Sequence, residues 1–175
     1  MNYGWEVRAR ELESVRRAVL AADPHQRWDN TRKGDSADAD QVRRLVSDLG
    51  RPLDRAYLEF LSCVDGWESV LEGLSLFSLE NYRGPEYQEA LELLISLDEL
   101  TVQDAGLDLS RSVPIGANPV GIDLIVLTNP AGVDPSPISW IAGYQVQRWA
   151  SFDEFFSGMV SGNREWLEWF ESGMD

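Results

Sequence analysis

The sequence predicts an α+β domain, in which an antiparallel, meandering sheet of about 4–6 strands is flanked by helices. Three observations predict it. Apolar residues recur at helical spacing over much of residues 5–97. From Val113 the chain turns to short runs of β-branched and aromatic residues, each separated by Gly, Pro, Asn or Asp. At Ser151 the sequence Ser-Phe-Asp-Glu, a capping box, returns the chain to helix. Helices, then strands, then helices argue against a parallel, doubly wound sheet.

Trp5 to Ala22 reads as an amphipathic helix with Trp5, Leu12, Val15, Val19 and Ala22 on one face, ended by Asp23-Pro24. Residues 23–39 are polar and read as a loop, so residues 1–39 are expected to form an appendage to a domain spanning 40–175. A helix from Asp40 to Leu49 buries Val42, Leu45, Val46 and Leu49 and stops at Gly50. Asp54 is placed to cap a third helix, which runs to Val64 with Tyr57, Phe60, Leu61 and Val64 inward. Asp65-Gly66-Trp67 ends it, and Leu74 to Phe77 reads as a short strand. Glu86 to Leu97 is helical by pattern, with Glu86, Glu89 and Glu92 outward, and Thr101 to Ser110 reads as loop. Strands follow at Val113–Gly116, Ile122–Thr128, Pro137–Ile141 and Tyr144–Trp149, joined by hairpin turns. In the first of these turns Gly116, Asn118 and Gly121 are residues that tolerate positive φ, and Asp123 is placed where it can bond backbone amides of its own hairpin. The capping box opens a helix to about Met159, and Asn163 caps a last one bearing Trp166, Leu167, Trp169 and Phe170.

Charge divides the chain unevenly. The net charge is −15, yet residues 1–50 carry nine acids and nine bases, so the remainder accounts for all of it. A field of that sign repels phosphate and disfavours nucleic acid, while it attracts a basic partner. Acidity that only confers solubility is the plainer alternative. The first twenty residues hold Glu6, Arg8, Arg10, Glu11, Glu13, Arg16 and Arg17, unlike a signal peptide, and no apolar run approaches the ~18 residues of a membrane span. A cytoplasmic location is expected. The aromatic end, Trp166 to Phe170, has Glu165, Glu168, Glu171 and Asp175 about it and is expected to pack on protein rather than anionic lipid.

Cys63 is the only cysteine and His25 the only histidine. That excludes an internal disulfide and a multi-thiolate zinc site. Cys63 falls in a helical apolar pattern and His25 in a polar turn, and no third group stands at a spacing that would orient them as a pair. No catalytic residue, cofactor or metal is expected.

Four segments in this order resemble the SUKH superfamily, the fold of cell-wall regulators and immunity proteins. They are Leu49-Gly-Arg-Pro-Leu-Asp-Arg-Ala-Tyr-Leu-Glu-Phe-Leu61, Asp65-Gly66-Trp67, Val113-Pro-Ile-Gly-Ala-Asn118 with Gly121-Ile-Asp-Leu-Ile-Val-Leu127, and Ala150-Ser-Phe-Asp-Glu-Phe-Phe156. The likeness spans roughly residues 40–160. Trp67 stands where members usually have a second glycine, and Glu80 to Ser110 is long for the compact ones. The resemblance implies a non-enzymatic role. Many bacterial members are thought to be immunity proteins that bind and block toxins, often nucleases; eukaryotic relatives are linked to regulation of cell-wall assembly. A regulatory or scaffold protein, docking through the neutral N-terminal helix, is the alternative.

For either role the partner is a protein with a basic surface, and oligomeric state is left open. Glu86, Glu89 and Glu92, with the nearby Glu68 and Glu72, are the candidate carboxylates for it. Their i, i+3, i+6 spacing suits a face that is either merely solvated or waiting for cations. Trp67 and Tyr82, beside turns, are candidate aromatic anchors or equally core residues.

Overall fold

A computed structural model describes residues 3–27 and 30–173. Among them α1 (Tyr3–Ala22), β1 (Arg32–Lys33), α2 (Ala39–Leu49), α3 (Arg55–Leu61), β2 (Trp67–Leu71) and β3 (Leu74–Leu76) come first. A 3₁₀ turn (Asn81–Arg83), α4 (Pro85–Ser96) and α5 (Glu99–Asp104) follow. The hairpins β4 (Val113–Ala117), β5 (Asp123–Leu127), β6 (Ile138–Ala142) and β7 (Gln145–Trp149) precede the last helix, α6 (Phe152–Glu171). The fold is α+β, and its sheet runs β1 to β7 in chain order with every neighbouring pair antiparallel. Trp28, Asp29 and Asp175 lie outside the described residues.

Capping chemistry places the helices much as the sequence predicts. Asp54 accepts from the Ala56 and Tyr57 amides at the start of α3, and its second oxygen takes the Ser136 amide at 3.0 Å, tying the elbow to the β5–β6 loop. Gly50 closes α2 at φ 58°. Ser151 Oγ accepts from the Glu154 amide, and the Glu154 carboxylate accepts from the Ala150 amide at 3.0 Å.

Seven strands replace the predicted 4–6, because β1 and β2 carry no legible period. The burial of β2 does not alternate: Trp67, Ser69, Val70 and Leu71 are all buried. Ser69 adopts φ 49°, and the register to β3 shifts within the strand. Two helices hold this irregular stretch. From α1, the buried Arg16 donates to the Ser69 carbonyl at 2.9 Å and to Ser69 Oγ at 3.0 Å. From α6, Asn163 donates to the Val70 carbonyl at 3.0 Å.

Four further expectations are altered. The N-terminal helix expected as an appendage shares the core. Trp5 meets the rings of Phe60, Phe152 and Phe156 at centroid distances of 5.3–5.7 Å, and Ala9, Leu12 and Val19 are buried. β1 pairs with β2, so the polar linker contributes an edge of the sheet. The two C-terminal helices are one, and Asn163 sits mid-helix rather than at a cap, because its amide also satisfies the Met159 carbonyl at 2.9 Å. The first part of the predicted 101–110 loop belongs to α5, capped by Asp98.

The β4–β5 turn also works differently from its sequence reading. Neither Gly116, Asn118 nor Gly121 has positive φ. Gly116 is needed for room: a Cβ there would lie 2.5 Å from the Ser75 carbonyl oxygen. The Asp123 side chain accepts the Trp140 indole N–H at 2.9 Å rather than backbone amides.

Candidate functional site

Five segments of the chain line a groove of about 750 Å³. One wall is α4, whose Glu86, Glu89, Ala90 and Leu93 recur at i, i+3, i+4 and i+7 and so share one helical face. The opposite wall is β1 with the following turn, Arg32 to Asp35, and the start of β2. Trp67, Leu76 and Phe77, all buried, give the groove apolar lining, and the β4–β5 turn closes one end through Asn118 and Pro119. Close backbone packing sets the wall. Gly66, at φ 78°, leaves no room for a side chain against Ser78, and Asp65 accepts from the Leu79 amide at 2.7 Å.

The lining is strongly acidic. Asp35, Asp65, Glu68, Glu80, Glu86 and Glu89 face two cations, Arg32 and Lys33. Arg32 is bound by Glu68 across the β1–β2 pair. The carboxylates of Asp35, Glu80, Glu86 and Glu89 have no ion-pair or hydrogen-bond partner among the described residues. Among those residues no group of three or more His, Cys, Asp or Glu side chains converges as a metal site. The charges are spread along a rim, an arrangement suited to several cationic side chains rather than one ion.

Four of the seven candidate residues line the groove: Trp67, Glu68, Glu86 and Glu89. Glu92 is exposed but outside the groove, because each i+3 step turns ~60° short of a full circle and the third glutamate has walked off the face. Glu72 lies elsewhere, with φ 46°, and accepts the Trp166 indole N–H at 2.7 Å. The two aromatic anchors are core residues. Trp67 is 1% exposed, with its indole N–H on Thr31 Oγ1 at 2.7 Å. Tyr82 is buried with its hydroxyl 2.7 Å from that of Tyr57, and burial raises the pKa of both phenols well above the ordinary value. Sequence reasoning passes over Asp35, Asp65, Glu80 and the two cations. Only the acidity of the three carboxylates signals them, since the five residues come from segments up to 48 positions apart.

The remaining nucleophile candidates stand apart from the groove. Cys63 is half-buried behind α3, with its thiol pKa pushed up by burial, and His25 is exposed in the turn after α1. The C-terminal aromatics Trp166, Trp169 and Phe170 are half-buried and pack together, with Arg27 over the last two rings. Among the described residues no helix is long and apolar enough to cross a membrane.

Comparison with protein-family models finds none that matches this chain, and no curated protein matches it.

Proposed function

We propose that this chain is a non-enzymatic protein-binding module, an immunity protein that neutralises a cognate toxin by occluding its basic surface. The observation that carries the reading is the groove: six carboxylates and two cations around an apolar lining. Nuclease toxins hold phosphate with clustered cations, and a rigid row of carboxylates competes for the same side chains. Membership of the SUKH superfamily belongs to the same proposal. Its support is that the four segments carrying the resemblance form α3, the approach to β2, the β4–β5 hairpin and the start of α6. A scaffold role through a docking N-terminal helix has less support, since Trp5, Ala9, Leu12 and Val19 of α1 are spent in the core.

The test is the association rate between this protein and the product of the gene adjacent to its own. Exposed charges are screened over roughly 10 Å at 0.1 M salt and roughly 3 Å at 1 M. Raising salt from low to ~0.5 M is therefore expected to slow association about tenfold. An on-rate indifferent to salt contradicts electrostatic occlusion.

A further inference from the structure

We propose, on the reading of the groove as the binding surface, that it takes one extended segment of the partner protein, about five residues in which cationic side chains alternate with apolar ones.

Size limits the occupant to one segment. A volume of about 750 Å³ lies within the roughly 300–1,000 Å³ of pockets that hold small ligands, far below what a domain face would need. The lining crosses β1, β2 and β3 and reaches Ala117 of β4. Four neighbouring strands at a spacing of about 4.8 Å span about 14 Å, the length of about four to five extended residues. The apolar surface open to a ligand comes from the half-buried Leu93 and Ala117 and the exposed Pro85 and Pro119. In an extended segment alternate side chains point to opposite sides, so one set meets this apolar surface while the other reaches the rim.

Charge and hydrogen bonding select the chemistry. The rim carboxylates of Asp35, Glu80, Glu86 and Glu89 are without partners among the described residues, and an arginine fork or a lysine ammonium complements them. A free polyamine would match those charges as well. Lys33 separates the two ligands. Half-buried in the wall, it makes no ion pair among the described residues, and its ammonium donates a long hydrogen bond, 3.5 Å, to the Gly34 carbonyl. A peptide backbone brings further carbonyl acceptors to that ammonium, whereas a protonated polyamine carries donors alone.

Fluorescence anisotropy with a labelled, end-capped Gly-Arg-Leu-Arg-Leu-Arg-Gly peptide tests this. Wild type is expected to bind it saturably. Glu86→Lys/Glu89→Lys is expected to weaken binding about tenfold, with an unchanged circular dichroism spectrum because both residues are exposed. Glu92→Lys, outside the groove, is expected to bind as wild type does. Replacing both leucines of the peptide by glycine is expected to weaken it about tenfold. Spermidine, which carries the same three positive charges, is expected to displace the peptide only at about tenfold excess or more. No saturable binding, an equal loss from Glu92→Lys, an equally tight glycine peptide, or spermidine as effective as the peptide each overturns the proposal. The assay uses no toxin, so the two readings fail separately. Peptide binding without capture of the adjacent gene's product sinks the immunity role alone, and capture that depends on Glu86 and Glu89 without peptide binding sinks the extended segment alone.

Discussion

Trp67 and Tyr82 show how much turns on whether one side chain is buried. Both are large aromatics beside turns, and both are buried in the core. Trp67→Ala is expected to cost about 3–5 kcal/mol of stability. Tyr82→Phe deprives the Tyr57 hydroxyl of its 2.7 Å neighbour and is expected to cost about 1–3 kcal/mol. Urea unfolding measures both. If either variant keeps its midpoint and loses only partner affinity, these rings are anchors after all. The sequence identifies such residues without resolving their orientation. Tyr82 follows no period, and Trp67 starts a strand whose burial does not alternate. The groove carboxylates have the opposite problem: Glu86 and Glu89 are read from helical spacing alone, while Asp35, Asp65 and Glu80 need the tertiary fold to bring them to the same rim.

At the level of elements, caps were legible and irregular segments were not. Asp54 and Ser151, both read from the sequence as caps, accept from helix N-terminal amides, whereas Asp38, which caps α2, was not read as one. Asp98 is a fourth cap, for the unpredicted α5. Its carboxylate accepts from the Thr101 amide at 3.0 Å and the Thr101 hydroxyl at 2.8 Å, which hold its pKa below the ordinary value. A carboxylate depressed in the folded state contributes stability above its unfolded pKa of about 3.9 and loses it as pH falls through the lower folded value. The advantage of wild type over Asp98→Ala in urea is therefore expected to be present at pH 7 and to shrink below about pH 4. An advantage that grows in acid contradicts that role. The short α5 and the kinked β2 escaped the sequence because six residues are too few for periodicity and Ser69 breaks the strand's alternation. Asn163 misled for a related reason. Asn is a common cap, but here its amide is fully used by Val70 and Met159 inside a continuous helix.

For the whole molecule, the fold class and the meander were legible because hairpin turns and the switch of period survive in one sequence. The place of residues 1–39 was not. Their neutral charge and polar linker resemble an appendage, whereas Trp5, Leu12 and Val19 are buried in the core and Arg16 bridges Ser69 of β2 and Asn163 of α6. A fragment of residues 40–175 is thus expected to lose cooperative unfolding, with calorimetry as the measurement; a sharp transition in the fragment contradicts the shared core. On the proposed function, the rigid body these contacts create is what lets the groove carboxylates act as a binding surface. The most direct measurement of that action compares capture of the adjacent gene's product by wild type, by Glu86→Lys/Glu89→Lys and by Glu92→Lys. The groove variant is expected to associate roughly tenfold more slowly or worse, with Glu92→Lys close to wild type. Equal effects from the groove pair and from Glu92, or none from either, would contradict the assignment of binding to this groove.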